Sequence, residues 1–167
     1  MTPVAPARKI RIPGNVPTRR GRPYGDAMSD RVHDFNTSII QEFRANGGVV
    51  GGPFEGRHML LLHTTGAKTG AARTTPLVYQ PNGEDSWVVF ASFGGAPKDP
   101  AWFNNLVADP DVTIEVGTDT IPVRARVAEG DERDALWAAQ KADIPAFADY
   151  EARTERQIPV VVLERRP

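Results

Sequence analysis

No cysteine occurs anywhere in the 167 residues. Disulfides, thiolate zinc sites, iron–sulfur clusters and protein-thiol redox chemistry are therefore all excluded. If the chain handles electrons, they must travel on a bound cofactor. No apolar run approaches the roughly 18 residues that a membrane-crossing helix needs, and no apolar segment near the N-terminus reads as a secretory signal. The expectation is a soluble, cytoplasmic protein. Histidine is scarce, with three in the chain. His58 and His63 stand five apart on an expected strand, which puts them on opposite faces, and His33 belongs to a separate expected helix. No HExxH pattern, GxSxG elbow or post-strand GxGxxG is present, so no metal site, serine hydrolase or Rossmann dinucleotide site is expected.

The hydrophobic fraction of 40% and charged fraction of 25% are those of an ordinary globular protein. The length suits one compact domain with a real core. The formal charge of -1 conceals an uneven distribution, because Arg8, Lys9, Arg11, Arg19, Arg20 and Arg22 all precede the first acid, Asp26. Residues 1–28 read as a basic, proline- and glycine-rich tail that cannot bury enough apolar surface to offset its ordering entropy. Disorder is the expectation there, with weak contact to an anionic lipid surface or another polyanion as the sharper alternative, and a transit peptide, whose amphipathic helix the prolines would spoil, as the last. Residues 29–167 form the expected domain. Its basic residues show no aromatic-interleaved cluster, so nucleic acid is not an expected partner.

Within that domain, Val32, Phe35, Ile39, Ile40 and Phe43 recur at helical spacing over Ser29 to Asn46, with Ser29 as a possible cap and Gly47-Gly48 as the stop. Met59 to Thr65, Thr74 to Gln80 and Trp87 to Ala91 read as three strands in meander order, the last two joined by an Asn82-Gly83 turn. Asp99-Pro100 should open a short helix through Val107, with the aspartate as cap. Val112 to Val116 and Ile121 to Val127 form a second hairpin around Gly117 to Asp119. Gly130 to Lys141 reads as a helix and Pro159 to Leu163 as a closing strand. About six short strands joined by tight turns give a mainly β (α+β) fold: a small antiparallel barrel with peripheral helices.

Two loops could carry chemistry. Thr64-Thr65-Gly66-Ala67-Lys68-Thr69-Gly70, followed by Arg73, combines glycines, hydroxyls and cations as a metal-free anion cradle would. It is not a Walker loop, since the upstream glycine is missing and a strand, not a helix, follows. A plain turn with a solvated lysine has the same composition. Ser92-Phe93-Gly94-Gly95 permits close backbone approach to a flat ring. The Trp102, Phe103 and Asn105 helix beyond it reads equally as a core anchor.

Taken in order, TTGAKTG, Arg73-Thr74-Thr75-Pro76-Leu77, ASFGG, DPAWFNNL and Asp109-Pro110 resemble the deazaflavin-dependent nitroreductase family. This is a split β-barrel group that includes mycobacterial F420-dependent quinone reductases. The resemblance runs from about Met59 to the C-terminal IPVVVLE. It implies that coenzyme F420 is the cofactor, with Ala67, Lys68, Thr69 and Arg73 at its phosphate and glutamate tail. It places Arg73, Thr74, Thr75, Pro76, Leu77 and Val78 along one side of the coenzyme. Ala91, Ser92 and Phe93 would then approach the deazaflavin ring, and Trp102, Phe103 and Asn105 would complete the pocket. The implied chemistry is hydride transfer to an electrophilic small molecule: a quinone, an activated alkene or a nitro compound.

The chain departs from nitroreductase-like members in the stretch Ile144 to Tyr150, where tyrosines gather in that group and only Tyr150 stands here. Phe93 occupies a position where such members can carry lysine. Tyr150, and secondarily Ser92, are the expected proton or hydrogen-bond donors to the acceptor, with a structural tyrosine as the competing reading. An FMN-binding split barrel and a non-catalytic carrier of F420 or a lipophile are the alternatives. Monomer and homodimer are both compatible with a small barrel.

Overall fold

The computed structural model describes residues 24–167, with side chains from Asp34 onward. The basic residues Arg8 to Arg22, and the expectations attached to them, lie outside the described residues. Among the described residues no helix is long and apolar enough to cross a membrane.

The first helix, α1, runs Tyr24–Ala45. Ser29 therefore lies inside it and not at its cap, which corrects the expected start. Its far end is closed by Gly47 and Gly48, both at positive φ, where a left-handed residue lets the Gly48 N–H reach back to the Phe43 carbonyl at 2.8 Å. A side chain at Gly48 would meet the Gly117 backbone at 2.7 Å.

Seven strands follow: β1 Met59–Thr65, β2 Ala72–Val78, β3 Gln80–Pro81, β4 Ser86–Phe90, β5 Asp111–Val116, β6 Asp119–Val127 and β7 Val160–Arg165. They form one antiparallel sheet in the order β2-β1-β5-β6-β7-β4-β3. The expected meander is corrected here. The run Thr74 to Gln80 splits at Tyr79, so that β2 pairs with β1 while β3 pairs with β4, and β4 pairs onward with β7. The two ends of the sheet order are thus consecutive pieces of one segment, and a single residue between them forces the sheet to curl back on itself. That curl makes the expected small barrel.

Alternation along the strands sorts side chains to two sides. The inner side holds Leu60, Leu62, Trp87, Val89, Ile114, Ile121, Val123, Val161 and Leu163, all buried, with Trp102 and Leu106 entering from helix α2, Ala101–Ala108. On the outer side, Ile39 and Phe43 of α1 cover Met59 and Leu61. Helices α3, Gly130–Asp143, and α4, Ala146–Ala152, cover Val88, Phe90, Val160 and Val162 through Trp137 and Phe147. Each fully buried side chain of this kind contributes about 1.5–3 kcal/mol. Helix α4 had no sequence signal, being about two turns that begin within Ile144 to Tyr150 and run on to Ala152.

Candidate functional site

The strand directions bring every motif loop to one end of the barrel. At that end β1, β4 and β6 finish while β2, β5 and β7 begin, as the pairs Thr65↔Ala72, Phe90↔Val160 and Val127↔Val161 show. Helix α2 crosses this end from β4 to β5, anchored by Trp102 and Leu106 in the barrel core. Its start corrects another expectation. Pro100 is the N-cap with no side-chain cap bond, and the Asp99 carboxylate instead receives Arg156 at 2.8 Å.

The Lys68 loop is built by its own residues and by α2. Gly66 donates to the Ala71 carbonyl at 2.7 Å and Gly70 to the Gly66 carbonyl at 2.8 Å. Ala71 N–H donates to the Thr69 hydroxyl oxygen at 3.2 Å. Asn105, buried on α2, accepts the Ala67 N–H at 2.9 Å and donates from Nδ2 to the Thr64 hydroxyl at 3.1 Å. The N–H groups of Lys68 and Thr69 have no partner among the described residues, and both residues are exposed. Gly66 is needed because a Cβ there would lie 2.8 Å from Thr69 Oγ1.

Strand β2 divides its predicted residues between two faces. Directly paired residues share a face, so Arg73, Thr75 and Leu77 lie with Thr64, Leu62 and Leu60 toward the barrel interior. Thr74, Pro76 and Val78 lie with His63, Leu61 and Met59 toward the α1 side. Thr74 Oγ1 is 3.1 Å from His63 Nδ1, and Val78 packs in the α1 cluster. His63 Nε2 in turn lies 2.5 Å from Glu115 Oε2, and Arg44 clamps the same carboxylate through Nε at 3.2 Å and Nη2 at 2.6 Å. The Arg44 hydrogen bond, aided by His63 and opposed by burial, holds the Glu115 carboxyl below its ordinary range.

Across the barrel wall from β2 lies the end of β4. Pairing between β3 and β4 stops at Gln80↔Val88, and no β2 residue pairs with β4. The wall is therefore open between upper β2, with Arg73, and the turn Ala91-Ser92-Phe93. Ala91 and Ser92 are buried, whereas Phe93 is exposed. Phe93 adopts φ 49, a region that side-chain-bearing residues rarely occupy, and Gly94 and Gly95 continue at φ 62 and 83.

Two arginines hold this turn. Arg156 donates to the carbonyls of Ala91 at 3.2 Å, Ser92 at 2.8 Å and Ala96 at 2.9 Å. Arg153 reaches the Gly94 carbonyl at 3.4 Å. Helix α4 packs so closely that a Cβ on Gly95 would lie 2.8 Å from the Tyr150 carbonyl oxygen. Tyr150 is half-buried beside the turn, its ring against Phe147 at 5.1 Å and under the Arg153 guanidinium at 5.8 Å. The sequence reading did not single out Arg156. It sits in a charged run, EARTER, with nothing in its spacing to separate it from its neighbours.

On the other side of α2 from Ala67 stands Phe103. It lines a mostly apolar cleft of about 230 Å³ with Leu106, Val107, Pro110, Ala125, Val127 and Val161, and with Arg126 as its one charged wall residue. Trp102, Phe103 and Asn105 thus do three different jobs: core anchor, cleft wall and loop clamp.

A family model described as F420H(2)-dependent quinone reductase matches residues 37–165. An F420H(2)-dependent quinone reductase from Mycobacterium tuberculosis (strain ATCC 25618 / H37Rv) is 42% identical over 128 residues, which is 74% of this chain and 85% of that protein. Among solved structures, one described as an F420-H2 dependent reductase (FDR-A) is 38% identical, with a TM-score of 0.59 over 65% of this chain and 95% of that one. Another, described as a domain-swapped dimer, is 35% identical, with a TM-score of 0.61 over 82% of this chain and 99% of that one. The curled antiparallel sheet is accordingly a split β-barrel, and this chain belongs to the F420H(2)-dependent quinone reductase family.

Proposed function

We propose that this protein is an oxidoreductase that passes a hydride from reduced coenzyme F420 to an electrophilic small molecule, a quinone first among them. The observation that carries the reading is the convergence of the Lys68 loop, the Ala91 to Gly95 turn and helix α2 at one open end of the barrel. The residues there fit the coenzyme. Two N–H groups without partners among the described residues, the Lys68 ammonium and the nearby Arg73 suit a phosphate and a carboxylate-bearing tail. The wall gap between β2 and β4 suits a flat ring.

Bound there, the reduced deazaflavin would supply the hydride, and with it both electrons. The chain's own part is positioning. Ala67, Lys68 and Thr69 hold the tail, while Arg73, Thr75 and Leu77 present the barrel-side lip. Ala91, Ser92 and Phe93 form the opposite lip, where buried backbone excludes water and the Phe93 ring offers a stacking surface to a flat acceptor. Thr74, Pro76 and Val78 are on the α1 side and are left out of the proposed lining. Trp102 acts through the core, and Asn105 acts by holding Ala67. Tyr150, and second to it Ser92, supplies a proton or hydrogen bond to the reduced acceptor.

Titration of the purified protein with F420, followed by steady-state oxidation of reduced F420 in the presence of quinone, enone and nitroaromatic acceptors, tests this reading. Saturable binding with quinone-dependent turnover is expected. A tightly held yellow flavin on purification would favour the FMN alternative, and F420 binding without turnover would make the protein a carrier. We read the assembly as a monomer or homodimer in the cytoplasm. The dimer follows by likeness to the solved relative described as domain-swapped, and any weak membrane contact would come through the basic residues Arg8 to Arg22.

A further inference from the structure

We propose that Arg156 is the positioning residue that fixes the ring-side turn and sets its distance from the tail-side loop; this rests on the coenzyme reading above. The guanidinium is spent entirely on one segment. Its Nε donates to Ala96 O at 2.9 Å, its Nη1 to Ala91 O at 3.2 Å and Asp99 Oδ1 at 2.8 Å, and its Nη2 to Ser92 O at 2.8 Å. Its side chain is 15% exposed, so these bonds are made largely out of water, where charge-assisted bonds to carbonyls are strongest.

The turn needs such a hold. Three successive residues, Phe93, Gly94 and Gly95, have positive φ, and Phe93 has a Cβ that disfavours it. Two short-range backbone bonds close the turn, Gly95 N–H to Ser92 O and Ala96 N–H to Phe93 O. Arg156 collects carbonyls from before and after the strained residues, which fixes the backbone on both sides and leaves the Phe93 ring facing out. Through Asp99 the same guanidinium holds the approach to α2. Helix α2 carries Asn105, which clamps Ala67 in the Lys68 loop. One side chain therefore links the lip offered to the ring with the loop offered to the tail.

The planar fork is what the geometry uses. A lysine supplies the charge but has one nitrogen, which cannot reach acceptors spread from Ala91 to Asp99 in the same arrangement. Arg156→Lys therefore separates charge from shape.

The test compares two probes, F420 and its tail-less deazaflavin riboside chromophore, by equilibrium titration of wild type, Arg156→Lys and Lys68→Ala, with thermal unfolding of each. The expected result is that Arg156→Lys weakens both probes alike, by about tenfold, lowers kcat more than it raises the acceptor KM, and shifts the absorption band of the bound chromophore. Lys68→Ala should weaken F420 alone. Wild-type affinity for both probes and wild-type kcat in Arg156→Lys would overturn the assignment, as would lost thermal stability with unchanged affinities. If Arg156→Lys does not fold, Asp99→Asn decides: it keeps the three carbonyl contacts, should weaken both probes in the same direction by less, and overturns the assignment if it weakens neither. Failure of the wild-type protein to bind either probe is a different outcome, which removes the coenzyme reading itself and the positioning role with it.

Discussion

Asn105 accepts the backbone N–H of Ala67 at 2.9 Å across 38 residues of sequence. Its other end donates to the buried Thr64 hydroxyl, so one carboxamide fastens helix α2 to the loop that carries Lys68. Asn105→Ala should cost about 1–3 kcal/mol of stability, since the buried Thr64 hydroxyl loses a partner away from bulk water and the Ala67 N–H loses its anchor. It should also weaken F420 binding through loss of loop order. Urea unfolding and coenzyme titration read the two effects separately.

Lys68 is exposed and makes no hydrogen bond or ion pair with the described residues. Lys68→Ala should leave stability within about 0.5 kcal/mol and weaken F420 by about tenfold or more, with most of the salt dependence of binding lost. An equal loss of acceptor affinity would count against a tail-binding role.

Gly94 and Gly95 differ although both lie at positive φ. Open space surrounds Gly94, whereas a Cβ on Gly95 would clash with the Tyr150 carbonyl at 2.8 Å and Arg153 Cβ at 2.9 Å. Gly94→Ala should cost about 1–2 kcal/mol from backbone strain alone. Gly95→Ala should cost more and push α4 from the turn, visible as a larger drop in unfolding temperature and a change in tyrosine fluorescence.

The carboxyl of Glu115 is lowered first by its hydrogen bond from Arg44 and further by His63. A depressed folded pKa means stabilisation that is fully present above the ordinary carboxylate pKa of about 4.3. It is lost as pH falls through the lower folded value. Arg44→Ala removes the main cause, so the variant's stability deficit should be largest near neutral pH and shrink in acid. Denaturant midpoints between pH 3 and 7 measure it.

Tyr150→Phe keeps the ring contacts with Phe147 and Arg153 and removes only the hydroxyl. A donor role predicts a lower kcat with unchanged F420 affinity and unfolding temperature. Unchanged turnover would leave Tyr150 as packing.

Much of this was legible along the chain because its signals are local. Met59–Thr65 reads as a strand from its apolar run, and the Gly117 turn and the early acids of Gly130–Asp143 mark their own elements. Asp99 misled, because aspartate before Pro-Ala-Trp is a good local cap, yet a partly buried arginine 57 residues away competes for the same carboxylate and wins. Ser29 misled for a simpler reason, since α1 extends through it. Strand β2 was readable as a strand, but which of Arg73 to Val78 face the barrel interior and which face α1 became legible only from its pairing with β1.

What followed from composition and local pattern was the class of chemistry and the list of parts. With no cysteine, any electrons the chain handles had to travel on a bound cofactor, and the order of the loops named the family. Tertiary structure alone decided how the parts meet. The interruption at Tyr79 sends β2 and β3 to opposite ends of one sheet, which curls the sheet and opens its wall beside Arg73. The Asn105 clamp and the Arg156 fork join residues 38 to 65 positions apart. Such bonds depend on where the folded backbone presents its carbonyl and N–H groups, and every residue type carries those groups alike. No pattern of side chains along the sequence can mark which of them an arginine will find.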